Sequence, residues 1–519
     1  MKRTSSLITK RNNKLYLVTL FVVAMITYTV MSYGGIRSPD SEVVFRTTES
    51  LVLRGSFAVS QELTWKGFGL TEGKNGKLYS LFGPLEAVAA VPFYAIALSI
   101  NATGWYEKRP ASVPVSHYTG DGLIEFVSGE IPHDLGPHAL RAVVCLFNIV
   151  IGSLSVILFF LLVKALTQSE VSALLTTILY AFGTLVFPYT GTFFSEPLAA
   201  FFVMLSLYVL VRSDLNDAVL RNRYYSLLLS GIFCGLATAT HITAILFVPF
   251  FCLYGMFSCH DKKQTIIKRA VVPGGIFMTG VGLIIALLGY YNYYRFGNIL
   301  ETGRAHSHMA YGVFVAPWRG LYGLLLSSGK GLLLYCPAVA LSLILWKPFH
   351  RRYRLLSIMI LGAALTRIFF IASRSDWHGG FCLGPRYMVM IIPLLILPLG
   401  VLVDMLLKER NKKYILAFAV FTLLCISEQI YFSVGEIFSF LHIVKWNGAR
   451  FGIDVFENDF LYLNWDVSPL IYLLDEHRGS FMLNKVPLDN YTLWLCLVSL
   501  TVVALFIVYY RLLRKYRFD

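Results

Sequence analysis

The sequence predicts an all-α polytopic membrane protein that crosses the bilayer about twelve times as a single domain. Of its 519 residues, 56% are hydrophobic and only 14% are charged, a balance far from that of ordinary soluble proteins. Apolar stretches of roughly 17 to 25 residues, long enough to cross a bilayer as helix, recur between Leu15 and Tyr510. The spans are predicted to be helices because an open sheet would leave backbone groups unpaired in lipid.

Basic residues gather in the short loops between the apolar stretches, which predicts the orientation of the chain. Placing these clusters in the cytoplasm gives spans at 15–33, 138–164, 171–188, 196–212, 225–240, 242–257, 271–291, 331–346, 355–372, 387–407, 414–434 and 491–510. Three long outer segments then lie at 34–137, 292–330 and 435–490. The net charge of +15 is explained by this orientation, so we predict the lipid bilayer and no nucleic acid as a partner.

Two carboxylates stand at predicted helix starts on the outer side. Asp40 follows Ser38-Pro39 just after the first span, and Glu196 begins the fourth span. Each has two interpretations, a catalytic acid or base, or an acid that favours the positive end of a helix. A charge at the centre of a membrane helix costs about 2.5 to 3.5 kcal/mol, which indicates that Glu196 faces a wet cavity. Glu42 is predicted to be a second acid or a surface charge, and we favour the surface charge.

Three cations on the predicted outer side suggest an anionic ligand. Lys77, Arg304 and Arg386 stand there against the tendency of positive charge to stay inside. Arginine offers paired donors to a phosphate, and lysine offers a compact charge. The alternative is that their long side chains reach toward lipid headgroups.

Histidines give only a weak metal signal. His306 and His308 form a His-x-His pair, and His378 follows later, but no paired acid accompanies them. Isolated histidines more often serve packing or hydrogen bonding, so we predict no metal ion and no other cofactor.

The motifs around these residues resemble those of the GT-C glycosyltransferases, in particular the bacterial branch related to protein O-mannosyltransferases and lipid A aminoarabinose transferases. That family carries an acidic motif shortly after the first span, followed by an amphipathic helix with a Gly near its end. Here Asp40 leads and Gly55 ends a similar stretch, with Glu42 displaced by one place from the usual second acid. The segment from Lys77 to Pro84 is similar to the family's Lys-Pro-Pro segment without its paired prolines. His241 stands where many members carry Lys or Arg.

The resemblance implies a GT-C fold with interfacial helices in the first outer loop, and a function. A sugar would pass from a polyprenyl-phosphate donor to a glycan, lipid or protein acceptor, with inversion at the anomeric carbon. The enzyme would lie in the cell (inner) membrane with its active site facing the periplasm. The catalytic candidates are Asp40, as general base, and Glu196. The substrate-binding candidates are Glu42, Lys77, Tyr79, His241, Arg304, His378 and Arg386, of which Lys77 and Arg386, with Arg304 as an additional candidate, would bind the donor phosphate.

Two other classes of function are compatible with the same residues. A transporter or flippase of lipid-linked sugars would also need outer cations and a membrane cavity. A polymerase or ligase of lipid-linked glycans would use arginines without an acid like Asp40. The sequence leaves mannose, arabinose and aminoarabinose donors open.

Overall fold

The protein is described from a computed structural model. It covers residues 16–32, 35–36, 38–59, 69–104, 140–215, 223–258, 270–304, 313–380, 382–435 and 459–473, single residues between 437 and 452, and the backbone of four further stretches, 2–15, 115–118, 124–127 and 138–139. Within these residues the chain is mostly helical, as predicted.

The helices follow one another in this order: α1 (Lys2–Met31), α2 (Pro39–Arg54), α3 (Pro84–Ala89), α4 (Val91–Asn101), α5 (His138–Thr167), α6 (Glu170–Phe182), α7 (Val186–Thr190), α8 (Glu196–Leu215), α9 (Arg223–Thr240), α10 (Val248–Phe257), α11 (Val272–Phe296), α12 (Pro317–Leu326), α13 (Leu332–Tyr335), α14 (Pro337–Ile344), α15 (Lys347–Arg352), α16 (Arg354–Ala372), α17 (Ile392–Lys408), α18 (Lys412–Val434), α19 (Phe460–Leu463) and α20 (Pro469–Tyr472). Short 3-10 helices lie at Ile242–Phe247, Arg386–Met388 and Trp465–Val467.

The strands lie in the first predicted outer segment. β1 (Ala58–Val59), β2 (Leu70–Glu72) and β3 (Leu78–Ser80) form a small antiparallel sheet with β3 in the middle. In this sheet Tyr79 lies opposite both Ala58 and Thr71. β4 (Val115–Tyr118) and β5 (Ile124–Val127) form a separate antiparallel pair.

Five described helices are long and apolar enough to cross a membrane, and they correspond to α5, α8, α11, α16 and α18. Four shorter apolar stretches, Tyr16–Met31, Val91–Asn101, Glu170–Phe182 and Ile242–Phe257, accompany them. The protein is therefore a membrane protein, and the total of about twelve spans stays a prediction. The predicted last span, 491–510, lies outside the described residues.

Two predicted spans are each divided between two α-helices. The stretch 171–188 is divided into α6 and α7, and the stretch 331–346 is divided into α13 and α14. Pro337 stands at the start of α14, where a missing N–H costs no intrahelical bond, but the same residue could not continue α13. Hydropathy alone cannot detect such breaks, because the residues on both sides are equally apolar.

α2 is the helix that positions Asp40, and its bounds agree with the motif. Ser38 is its N-cap, Pro39 occupies the first turn, and Gly55 ends it in the left-handed conformation at φ 59°. Glycine adopts this conformation without the steric cost that a side chain meets. The acidic start and the Gly end therefore fix both limits of the helix.

Close backbone contacts hold α9 and the start of α3 in place. A Cβ atom at Gly231 of α9 would lie 2.1 Å from the carbonyl oxygen of Phe277 on α11. A Cβ atom at Gly83, just before α3, would lie 2.3 Å from the carbonyl oxygen of Ala239 and 2.4 Å from that of Thr240. Small residues allow such packing in membrane helices. The contacts fix the end of α9, where His241 follows.

Candidate active site

Asp40, Arg386 and Glu196 form one ion cluster from three distant parts of the chain. Arg386 Nη1 donates to Asp40 Oδ2 at 2.7 Å, and Arg386 Nε lies 3.2 Å from Glu196 Oε1. Glu196 is 2% exposed and Arg386 is 7% exposed. Asp40 is more open, since 20% of its side chain is accessible. Burial alone would lower the pKa of Arg386, but Asp40 and Glu196 raise it well above its ordinary value. The guanidinium is thus permanently charged between two carboxylates.

The loop that carries Arg386 is held by a buried lysine. Lys330 Nζ donates to the carbonyl oxygens of Gly380 at 2.9 Å and Cys382 at 2.7 Å, and it lies 3.1 Å from Cys382 Sγ. Gly379 and Gly380 have φ angles of 71° and 73°, which only glycine adopts readily in succession. Burial lowers the pKa of Lys330, and Arg386 lowers it further, against the opposite effect of Cys382. Lys330 therefore ties the loop to the end of the second predicted outer segment.

His241 lies beside the ion cluster and makes a hydrogen bond to Thr243. Its Nε2 lies 4.0 Å from Glu196 Oε1, and its Nδ1 lies 2.8 Å from Thr243 Oγ1. Arg367 Nη1 donates to the same Thr243 hydroxyl at 2.7 Å, so the hydroxyl proton is free to donate to Nδ1. This network assigns the proton of neutral His241 to Nε2, facing Glu196. Hydrogen bonds therefore link Arg367 to His241 through Thr243, and His241 lies next to the Asp40 cluster.

The electrostatic surroundings keep His241 neutral. Burial lowers its pKa well below the ordinary value, and four arginines lower it further: Arg367, Arg304, Arg386 and Arg374. A cationic histidine is disfavoured among so many positive charges. His241 is thus an N–H donor and not a charged ligand.

Glu86 is a second buried acid beside Glu196. It is fully buried on α3, and its Oε2 has no hydrogen-bond partner. Asn148 Nδ2 reaches its Oε1 at 3.4 Å, while binding the carbonyl oxygens of Thr192 and Phe194 more closely. Burial raises the pKa of Glu86 well above its ordinary value, and the nearby Glu196 raises it further. Burial and Glu196 thus both favour the protonated form of Glu86.

Glu42 is not the surface charge that we favoured from the sequence. It is 5% exposed and accepts two hydrogen bonds from Arg141, Nε to Oε2 at 2.8 Å and Nη2 to Oε1 at 2.5 Å. Arg46 Nε donates to the same Oε1 at 3.0 Å. Burial alone would raise the pKa of Glu42, but the two arginines hold it below the ordinary value. The position on the buried face of α2 is the reason for the error, since spacing alone did not reveal which face packs inward.

The other predicted site residues occupy different places. Lys77 is exposed in the turn between β2 and β3, and Tyr79 is buried on β3 with its ring edge-on to Tyr294 and Phe296. Among the described residues, no ion pair joins Lys77 to the Asp40 cluster. Arg304 is partly buried and near enough to His241 to lower its pKa.

His378 lies beside Lys330. Its ring stacks on Tyr462 with centroids 4.3 Å apart, and its Nδ1 accepts from Gly380 N at 3.0 Å. Burial, with Lys330 nearby, lowers the pKa of His378 to about 3. His306 and His308 lie outside the described residues.

Sequence reasoning missed Arg367, Lys330 and the role of Thr243. Arg367 stands in the middle of an apolar run that becomes α16, and an ionisable residue within a membrane span is by default a candidate functional residue. That signal was available. No sequence signal marks Thr243, because an isolated threonine in an apolar stretch has no preferred role.

Comparisons with known proteins agree with this architecture. A family model described as dolichyl-phosphate-mannose-protein mannosyltransferase matches residues 124–302. No curated protein matches the chain. The crystal structure of ArnT from Cupriavidus metallidurans bound to undecaprenyl phosphate is similar with a TM-score of 0.50 and 14% identity, over 95% of this chain and 76% of that chain.

Two further solved structures are similar at lower scores. The S. cerevisiae protein O-mannosyltransferase Pmt1-Pmt2 complex has a TM-score of 0.35 and 19% identity, over 61% of this chain and 37% of that one. The oligosaccharyltransferase AglB from Archaeoglobus fulgidus has a TM-score of 0.45 and 12% identity, over 87% of this chain and 60% of that one. The resemblance inferred from the acidic motif after the first span is confirmed, since the matching family model and the ArnT structure, which this chain resembles in fold, are both of GT-C glycosyltransferases.

Proposed function

We propose that this protein is an inverting glycosyltransferase that moves a sugar from a polyprenyl-phosphate donor to an acceptor hydroxyl on the outer, periplasmic face of the cell (inner) membrane. The observation that carries the proposal is the ion cluster in which Arg386 holds Asp40 beside Glu196. It places a partly open carboxylate at the start of α2, next to buried positive charge. The solved ArnT structure with the same fold contains undecaprenyl phosphate, which supports a lipid-linked donor here.

Asp40 is the general base in this proposal. Arg386 occupies its Oδ2, so Oδ1 is the oxygen that would accept the proton of the acceptor hydroxyl. The acceptor oxygen then attacks the anomeric carbon from the side opposite the lipid phosphate. The bond between that carbon and the phosphate oxygen breaks, and its electron pair leaves with the polyprenyl phosphate. General-base help of this kind contributes roughly 100 to 10,000-fold to a rate.

The arginines near His241 would stabilise the leaving phosphate in the second half of the reaction. Negative charge grows on the leaving phosphate oxygen, and donors fixed in a buried site stabilise charge where it develops. Neutral His241 adds an N–H donor beside Glu196. Glu196 balances Arg386, so that the site is not filled by positive charge alone. The predicted roles of Glu42, Lys77, Tyr79 and His378 in substrate binding, and the absence of a cofactor, stay predictions.

The test is a transfer assay with purified protein in lipid nanodiscs, supplied with mannose, arabinose or aminoarabinose on polyprenyl phosphate. We expect free polyprenyl phosphate to appear together with the sugar on an acceptor. Movement of intact donor across a vesicle membrane without cleavage would instead identify a flippase. Transfer of a whole glycan from a lipid pyrophosphate would identify a ligase.

A further inference from the structure

The cations around His241 divide into two groups by their partners. Arg374 binds Asp376 through two hydrogen bonds of 2.7 and 2.5 Å, and Arg386 lies between Asp40 and Glu196. Arg304 and Arg367 have no carboxylate within ion-pair distance among the residues that the structure describes. Neither of these two guanidiniums is therefore neutralised by a direct ion pair with a described residue, which favours an anion there.

Arg367 is held by hydrogen bonds from two of its guanidinium nitrogens, while the third has no partner among the described residues. It is 0% exposed. Its Nε donates to the carbonyl oxygen of Tyr387 at 2.9 Å, and its Nη1 donates to Thr243. Its Nη2 is buried and makes no hydrogen bond with the described part of the chain. A buried charged donor without a partner is costly, and such a group in a folded protein calls for a bound acceptor.

Arg295 shows what a buried arginine without a ligand looks like in the same protein. It is 3% exposed, and it donates to the carbonyl oxygen of Ser80 and to Asn292. Its guanidinium carbon lies 4.0 Å from the centroid of the Tyr291 ring and 4.5 Å from that of Phe296, so its spare Nε rests against aromatic faces. The Phe247 ring is 5.9 Å from the guanidinium carbon of Arg367. Aromatic contact thus satisfies Arg295 better than Arg367.

We infer that Arg367, together with Arg304, binds the phosphate of the lipid-linked donor, and that Arg386 is a positioning residue for Asp40 and Glu196. The inference rests on the proposed function and deepens it. It moves the main phosphate ligand from the loop after α16 to α16 itself. The ligand chemistry is a phosphate ester, for which a fixed guanidinium edge is the best match among side chains.

The experiment measures binding of undecaprenyl phosphate to the purified full chain in detergent by native mass spectrometry. Arg367→Met is expected to weaken binding about 10- to 100-fold, the effect of losing a hydrogen bond between charged groups. Arg295→Met, the matched control for a lost buried arginine, should bind within about 2-fold of the unmodified protein. Arg386→Met should weaken binding less than Arg367→Met does.

Each outcome has one meaning. Equal binding by Arg367→Met and the unmodified protein overturns the inference and leaves the proposed function intact. Failure of the unmodified protein to bind undecaprenyl phosphate, or to use any polyprenyl-phosphate sugar, overturns the proposed function as well. Inorganic phosphate is the second probe, and binding as tight as that of the lipid would show a site for the free anion instead of the donor.

A second measurement covers the case in which Arg367→Met does not fold. The second pKa of a phosphate monoester lies near 6, and a neighbouring guanidinium lowers it. We expect the phosphorus NMR signal of bound undecaprenyl phosphate to titrate at lower pH than free lipid, and Arg367→Lys to move that midpoint. A purely structural role for Arg367 would leave the midpoint of folded Arg367→Lys unchanged, and that result would also overturn the inference.

Discussion

Two ion clusters begin two residues apart on α2, and they are built in opposite ways. In the Asp40 cluster one guanidinium, that of Arg386, lies between two carboxylates. In the Glu42 cluster the Glu42 carboxylate lies between two guanidiniums, those of Arg46 and Arg141, and Arg46 also pairs with Glu49 at 2.8 Å. The side chain of Asp40 is 20% accessible, whereas that of Glu42 is 6% accessible. The Asp40 cluster keeps an oxygen open to a substrate, and the Glu42 cluster is closed and holds α2 against α5.

The largest expected effect separates the two clusters by activity. Asp40→Asn should reduce sugar transfer by roughly 100 to 10,000-fold, because the amide cannot accept the acceptor proton. Its melting temperature should change little, since Asp40 is partly exposed. Transfer assays in nanodiscs measure the effect, with the exposed Asp466→Asn as control. Near-normal transfer by the Asp40 variant would show that another group is the base.

The second prediction separates the clusters by stability. Glu42→Ala removes the carboxylate that Arg141 and Arg46 share, and loss of one partner of a buried pair costs about 3 to 5 kcal/mol. Denaturant unfolding should show this loss for Glu42→Ala and for Arg141→Met. The double variant should lose less than the two single losses added together. Full additivity would mean that the two residues are not coupled.

The third prediction concerns pH and follows from the lowered pKa of Glu42. The folded protein holds this carboxylate ionised below its ordinary pKa of 4.5, so the pair stabilises the fold above that pH. The stabilisation is lost as the pH falls through the lower, folded value. The melting-temperature difference between the unmodified protein and Glu42→Gln should therefore be constant near neutral pH and shrink below about pH 4.5. A difference that persists undiminished in acid would contradict the ion pair.

The fourth prediction tests whether His241 stays neutral as part of the Asp40 cluster. Its folded pKa lies below 6.5, so below that pH the unfolded chain takes up a proton that the folded chain refuses. Stability contributed by His241 should therefore fall as the pH drops below 6.5, by up to about 1.4 kcal/mol per pH unit. The stability of His241→Gln, measured by thermal unfolding, should not show this decrease as the pH falls. Identical slopes for both proteins would show that His241 titrates normally.

The smallest expected effect concerns Lys77, which the resemblance placed among the phosphate ligands. It is exposed in a turn, and surface substitutions usually change energies by less than about 0.5 kcal/mol. Lys77→Ala should therefore change transfer by less than about 2-fold. Titration of the donor measures the apparent affinity. A loss of transfer as large as that of Asp40→Asn would show that Lys77 takes part in the site.

The fold could be predicted because it depends on composition and periodicity, which are local. The bounds of α2, α8, α9 and α16 followed from their caps and apolar lengths. The pairing of charges could not be predicted in the same way. Arg386 is 346 residues from Asp40 along the chain, and only the packed helices decide which arginine meets which acid.

The sequence also gave no means of ranking acids on one helix. Asp40 and Glu42 both lie in the first turn of α2, but they point to surroundings with opposite charge and different burial. Sequence reasoning missed Arg367 for a different reason. Its apolar neighbours predicted a membrane span correctly, and the span drew attention away from the charge inside it.

The contact of Gly83 with the last carbonyl groups of α9 couples the position of α3 to that of His241, which follows α9. A methyl group at this position would have to push α3 and α9 apart, because two backbone oxygens lie within 2.4 Å of it. Any acceptor that shifts α3 on docking must in turn displace the peptide ahead of His241. A movement of α3 at the surface would thus reach His241 through contact between backbone atoms, without a flexible side chain in between.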